Sequence, residues 1–212
     1  MHTIFFVLSI SGYFSPSYYS LVDNKDRFQE IPKEFYSFET NSPFERCIEC
    51  DVDLIANNLD YVIEIAKKSY KGFSAEDTVF DYAMCINCAM KMRNEFSVES
   101  LKNMENYFSN IKMQQELNTS NELLIIDDCL AQCAIKDIQK DEVEEYQIYA
   151  YCTGDKLNKT IPPYMISGQA IDEVLPLLSN ATTEFLNGFF DKHFSPDPSL
   201  MEPTPKDRLV FI

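Results

Sequence analysis

The chain has 212 residues, with 34 Asp and Glu against 18 Lys and Arg, which gives a formal charge of −16 at pH 7. This acidic excess argues against binding to nucleic acid or to an anionic lipid surface, because both need clustered basic side chains. Hydrophobic residues at 45% and charged residues at 25% are typical of a folded globular protein.

Residues 1–46 form the first of three predicted segments, an aromatic-rich stretch of strands and loops. The apolar run from Thr3 to Ile10 predicts a buried strand. We favour this over a signal peptide, since no Lys or Arg precedes Lys25. The alternation of apolar and polar residues in "EFYSFET" predicts a second, short strand.

Residues 47–118 form the second segment and are predicted to be mostly helical. A first helix is predicted in "NNLDYVIEIAKKSY", where apolar residues recur at helical spacing. Ser74 and Asp77 have the spacing of a capping box ahead of "TVFDYAM", which predicts a second helix. Ser97 is the expected cap of a third, amphipathic helix. The apolar faces of the first and third helices consist of Leu59, Val62, Ile63, Ala66 and Tyr70, and of Leu101, Met104, Phe108 and Ile111.

Residues 119–212 form the third segment, an α+β unit with a Pro-rich tail. "NELLIID" and "EEYQIYAYC" predict strands. A helix is expected to begin at Ser167 and to end or kink at Pro176. "TEFLNGFFDKHF" predicts a further helix, and the closing "RLVFI" predicts a strand.

Four of the seven cysteines form two Cys-x-x-Cys pairs, Cys47 with Cys50 and Cys85 with Cys88. Zinc takes four soft or borderline ligands in a tetrahedron, and one such pair supplies two thiolates. Two pairs would complete the shell, although the 34 residues between them exceed the usual gap. The second pair is expected to open a helix, whose N-terminus stabilises thiolates. The cysteine pattern thus predicts one Zn²⁺ site.

This arrangement, a Cys-x-x-Cys knuckle at Cys47 and Cys50 with a second cysteine pair at a helix start, resembles zinc-ribbon and treble-clef sites. The patterns "YAMC" and "YQIYAYC" are also similar to bacterial sequences of no assigned role, which implies a cytoplasmic protein. Two alternatives to zinc stay open, namely a disulfide or redox pair and ordinary core cysteines. The segment "MCINCAM" lacks the aromatic-Cys-Gly-Pro-Cys pattern of thioredoxin-like proteins.

A short similarity links "YAMCINC" at 82–88 with "YAYCTGD" at 149–155, and a cysteine pair precedes each. It suggests two diverged copies of one unit within a helix-rich, zinc-stabilised α+β domain with short strands. The second copy would hold Cys129, Cys133, Cys152 and Asp155. Because Cys-x-x-x-Cys is a poorer knuckle and carboxylate a less common structural ligand, a metal-free copy is the favoured outcome.

Catalytic groups are sparse in the sequence, which has two histidines, His2 and His193, and only five glycines. We therefore favour a non-enzymatic, acidic zinc-binding protein that acts by protein–protein interaction, with immunity proteins, antitoxins and anti-phage components as examples. A basic protein would be a compatible partner. The alternative is a thiol redox enzyme or redox sensor that uses Cys85 or Cys88. The thiol pairs favour a cytoplasmic location.

Overall fold

The computed structural model describes residues 27–73, 75–109 and 125–195, and an antiparallel sheet of six strands forms their core. The order across the sheet is β1-β5-β4-β2-β3, and the sixth strand, β6, also pairs with β4. β2 and β4 are therefore the central strands. In chain order the strands are β1 (Phe28–Glu30), β2 (Asp60–Ser69), β3 (Glu76–Cys85), β4 (Glu145–Thr153), β5 (Lys156–Asn158) and β6 (Tyr164–Ser167).

Five α-helices accompany the sheet in the described residues. They are α1 (Ile86–Asn94), α2 (Val98–Ser109), α3 (Ile126–Leu130), α4 (Gly168–Val174) and α5 (Asn180–Phe194). Helix α5 packs aromatic rings on β3, with the Phe189 ring 5.8 Å from that of Tyr82. Residues at the starts of α2 and α5 also touch, because the hydroxyl oxygens of Ser97 and Ser179 are 2.9 Å apart. These contacts place α5 beside the end of β3 where α1 begins.

The predicted helix-rich fold with short strands is wrong, because the sheet contains two ten-residue strands where helices were expected. Strand β2 occupies the predicted first helix. It is buried from Tyr61 to Ala66 and has a hydrogen-bonded strand on each side. A central strand covered on both faces has a continuous apolar run, and such a run also satisfies helical spacing.

The helix predicted after the capping box of Ser74 and Asp77 is also wrong, because this stretch is a strand. Asp77 and the residues that follow it belong to β3, which forms an antiparallel hairpin with β2. The strand expected in "EFYSFET" is instead a 3-10 helix, Lys33–Phe35, followed by turns. In "NELLIID", Ile126 begins α3, while residues 121–124 lie outside the described part, as do the strands predicted at 3–10 and in "RLVFI".

Several predicted elements are confirmed. Strand β4 covers the predicted "EEYQIYAYC", and the second cysteine pair opens α1. The Ser97 hydroxyl accepts a hydrogen bond from the Ser100 amide at 3.0 Å and so caps α2. Ser167 caps α4, and a 3-10 turn that contains Pro176 follows that helix. α5 covers the last predicted helix.

The two-copy interpretation is not supported by the topology. Cys85 ends the second strand of the β2–β3 hairpin and a helix follows, whereas Cys152 lies in the first strand of the β4–β5 hairpin. The two Tyr-Ala-x-Cys motifs nevertheless have the same register against β2, since Cys85 and Cys152 both lie opposite Tyr61. Strands of the second and third segments thus share one sheet, and the domain boundaries themselves stay predictions.

Candidate metal centre

The first cysteine pair lies in a loop that is attached to the sheet by its backbone. The Cys47 amide donates to the carbonyl of Val52 at 3.0 Å, which closes the knuckle. The neighbouring Ile48 amide donates to the carbonyl of Ala83 in β3 at 2.9 Å. The loop is therefore attached two residues before β3 ends, beside the second cysteine pair.

The second pair lies at the junction of β3 and α1. Cys85 is the last residue of β3 and the N-cap of α1, with an extended backbone, and Cys88 lies in the first turn of the helix. The positive end of the helix dipole favours negative charge at this position. The change from strand to helix therefore brings both sulfurs to the helix N-terminus, as the sequence predicted.

The structure brings the four predicted ligands together. The Sγ atoms of Cys47, Cys50, Cys85 and Cys88 all lie within 4.8 Å of one another. The Sγ atoms of Cys50 and Cys85 are 3.9 Å apart. A tetrahedral ion with metal–sulfur bonds of about 2.3 Å holds its sulfurs about 3.8 Å apart, so the cluster has the dimensions of one mononuclear site.

The protonation tendencies of the thiols differ within the cluster. Burial raises the pKa of Cys85 and Cys88, and hydrogen bonds to Cys50 and Cys85 raise that of Cys88 further. Burial opposes ionisation of Cys50 too, but hydrogen bonds from the Val52 backbone and from the Cys88 and Cys47 thiols lower its pKa. The thiolate form is therefore favoured at Cys50 over Cys85 and Cys88. A bound divalent cation would supply the positive charge that lets Cys85 and Cys88 ionise as well.

Glu49 links the first knuckle to the end of α5, a contact that the sequence did not predict. Its carboxylate lies 2.7 Å from the Lys192 Nζ and 2.8 Å from the His193 Nε2. Burial raises the pKa of Glu49, but these two hydrogen bonds lower it more and favour the carboxylate. His193 lies in the last turn of α5.

A cleft of about 460 Å³ opens between α1 and α5 next to the centre. One wall of this cleft is the candidate ligand Cys88, and the apolar floor consists of Met92, Phe185 and Phe189. Gly188 also lines it, and a Cβ atom added there would meet nothing within 4 Å. Charged side chains surround the cleft, namely Glu49, Lys91, Glu95, Glu184 and Lys192.

Comparison of the chain with known proteins assigns it to no family. No protein-family model, curated protein or solved structure matches it significantly. The centre is consistent with a zinc-ribbon-like site through the positions of its four cysteines alone. Within the described part of the chain, no helix is long and apolar enough to cross a membrane.

The described residues contain no second cluster of three or more candidate ligands. Cys133 lies against Ser167, whose amide and hydroxyl contact its sulfur at 3.3 and 3.4 Å. Cys152 is buried opposite Tyr61, and burial raises its thiol pKa to about 12. Neither thiol belongs to a group of candidate metal ligands among the described residues.

Proposed function

We propose that Cys47, Cys50, Cys85 and Cys88 bind one Zn²⁺ as a structural centre. The single observation that supports this most is the convergence of four sulfurs, from a loop and a strand–helix junction, within 4.8 Å. Four sulfurs at this spacing have the dimensions of the coordination shell of one tetrahedral ion. An iron–sulfur cluster contains several irons and sulfides between its cysteines, so it would hold the sulfurs farther apart.

The zinc would act as a cross-link between distant parts of the chain. Cys50 and Cys85 are 35 positions apart, and β2 with most of β3 lies between them. Closing this loop in the folded state contributes to stability, because binding free energy at such a site is folding free energy. In this proposal the centre also holds the start of α1, which forms one side of the cleft.

The test is metal analysis of the purified full chain and of serine variants. Wild type should contain one zinc per chain, and Cys47→Ser or Cys88→Ser should lower that content and the melting temperature. Cys133→Ser and Cys129→Ser are matched controls outside the centre, and they should keep full zinc. Wild-type protein that holds no zinc, and takes up none when it is supplied, would refute the proposal.

We further propose that the chain is non-enzymatic and acts by binding a basic protein segment in the cleft between α1 and α5. Its support is the apolar floor of the cleft, the excess of three carboxylates over two lysines around it and the net charge of −16. An immunity protein, an antitoxin or an anti-phage component would work in this way. The proposed thiol chemistry at Cys85 and Cys88 is less well supported, because both thiols are buried and have raised pKa values.

Gly188 offers a sharp test of the cleft. A Gly188→Trp variant fills the open space there, while Asn187→Trp places the same ring on the adjacent, exposed position of α5 that does not line the cleft. If a basic partner docks in the cleft, only the first variant should abolish its capture from the native host. Equal capture by both variants would contradict this site.

A further inference from the structure

Cys50 differs from the other three cysteines of the centre in its access to solvent. Cys47, Cys85 and Cys88 are 1%, 4% and 5% exposed, whereas Cys50 is exposed to solvent. It lies at the end of the knuckle turn, next to Asp51, whose backbone is left-handed with φ of 55°. A dissolved reagent therefore meets the Cys50 sulfur first.

The sulfur of Cys50 lies against a fixed partner. Its Sγ is 3.9 Å from that of Cys85. The backbone of Cys85 is paired with Tyr61 in the sheet, and its amide donates to the Cys47 Sγ at 3.4 Å. An exposed thiol on a turn thus faces a buried thiol on the sheet, and a movement of about 2 Å by the turn would bring them to the S–S bond length.

We propose that Cys50 is the oxidation site of the metal centre, where hydrogen peroxide produces a Cys50–Cys85 disulfide and releases the metal. This inference rests on the proposed zinc site and adds its regulation. The exposure of Cys50 and its contact with Cys85 are the two observations that support it. Susceptibility of a thiolate to peroxide follows its accessibility, which separates Cys50 from its three buried neighbours.

The chemistry balances with peroxide as the only oxidant. The Cys50 thiolate attacks one peroxide oxygen, the O–O bond breaks, and hydroxide leaves with the electron pair, so that Cys50 becomes a sulfenic acid. The Cys85 thiolate then attacks the Cys50 sulfur, the S–O bond breaks, and a second hydroxide leaves as the disulfide forms. Two thiolates lose two electrons and one peroxide gains them. Cys47 and Cys88 alone cannot complete the tetrahedron, so the zinc dissociates.

The oxidised state would retain a cross-link between the knuckle and the sheet. The disulfide joins the same loop and the same strand end that the zinc joins, across the same 35 positions. A chain that lost its metal in this way would keep the central sheet. Reduction of the disulfide would restore all four ligands, so zinc should bind again.

The test uses zinc-loaded full-length protein whose metal content is measured before peroxide is added. Zinc release is followed with a chromogenic chelator, and disulfides are mapped by mass spectrometry of non-reduced peptides. We expect one zinc released per disulfide, a Cys50–Cys85 link, and recovery of zinc binding after reduction. Zinc retained under peroxide, or a disulfide that excludes Cys50, would overturn the proposal. A chain without zinc before oxidation would instead refute the proposed zinc site.

A ligand-preserving variant sharpens the result. Cys50→His keeps a zinc-binding side chain at this position but removes the oxidisable sulfur, and it should slow zinc release by about tenfold or more. Cys129→Ser, which removes a half-buried thiol outside the centre, should leave the release rate unchanged. Equal release from wild type and Cys50→His would overturn the assignment. If Cys50→His fails to load zinc, the disulfide map of wild type still decides the question.

Discussion

Tyr82 donates a hydrogen bond of 2.5 Å to the carboxyl group of Glu64, and both residues are buried in the middle of the sheet. Tyr149 lies opposite Glu64 on the other side of β2, so the two Tyr-Ala-x-Cys motifs place their tyrosines on either side of one acid. Tyr149 in turn donates to the Gln147 Oε1 at 2.6 Å. Two buried polar atoms, Glu64 Oε1 and Gln147 Nε2, have no hydrogen-bond partner among the residues that the structure describes.

Stability should therefore depend on the protonation of Glu64. Burial raises its pKa from 4.5 to about 8, although the hydrogen bond from Tyr82 acts in the opposite direction. Because the pKa is raised on folding, the neutral acid favours the folded state below about pH 4.5, and this contribution is lost as pH rises to about 8. We expect the free energy of unfolding to fall over this range by a few kcal/mol at most, on the order of the pKa difference.

The measurement is denaturant unfolding of wild type and Glu64→Gln between pH 5 and pH 9. The glutamine cannot ionise, so the variant should gain stability relative to wild type as pH rises. Any pH dependence of the cysteine cluster is common to both proteins and cancels in the difference. Parallel curves for the two proteins across this range would contradict the assignment to Glu64.

A pair of glycine substitutions should have opposite effects. Gly188 lies within α5 and has open space around it, so Gly188→Ala should stabilise the fold by about 0.5–1 kcal/mol through helix propensity. Gly154 has φ of 55°, and an added Cβ would lie 2.5 Å from the Asn58 Oδ1, so Gly154→Ala should destabilise it. Thermal unfolding of both variants measures the difference, and two shifts in the same direction would count against this local structure.

The hydroxyl cluster between α2 and α5 should be sensitive to loss of a single oxygen. Ser100 is fully buried, accepts a hydrogen bond from the Ser179 amide at 2.8 Å and contacts the Thr182 hydroxyl at 2.9 Å. Ser100→Ala would remove the acceptor of the half-buried Ser179 amide, and we expect a loss of about 1 kcal/mol. The exposed Ser109, which donates only to a carbonyl of its own helix, is the control. Chemical denaturation that gives both variants the same small effect would refute a role for the cluster.

Removal of the metal should destabilise the whole fold, because the centre joins the knuckle loop to the end of β3. A strong chelator should lower the melting temperature of wild type by about 10 °C, as expected for the loss of a few kcal/mol in a chain of this size. The same chelator should leave the melting temperature of Cys47→Ser unchanged, since that variant would already lack stoichiometric zinc. A wild-type melting curve that does not respond to chelation would contradict a structural role for the metal.

The four candidate ligands could be predicted from the sequence because a Cys-x-x-Cys pair fixes two sulfurs locally. Helix starts at Ser97 and Ser167 could be predicted for the same reason, as a cap acts within three residues. In β2, by contrast, the spacing of Val62, Ile63 and Ala66 suits a helix and a doubly covered strand equally. Only the neighbouring strands, which are distant in sequence, decide between the two.

The surroundings of the centre depend on contacts that span most of the chain. Glu49 and Lys192 are 143 positions apart, and nothing near either residue indicates their ion pair. The cleft likewise needs α1 and α5 to be placed side by side by β3 and by the hydroxyl cluster. Local sequence patterns predict chemistry at single elements, whereas the position of one element against another follows from the packing of the whole sheet.

The most direct test of the proposed zinc centre is zinc X-ray absorption on the protein as purified. We predict a single shell of four sulfur atoms at about 2.3 Å from the metal. A shell that contains nitrogen or oxygen at about 2.0 Å, or fewer than four sulfurs, would contradict the assignment of Cys47, Cys50, Cys85 and Cys88 as the ligands.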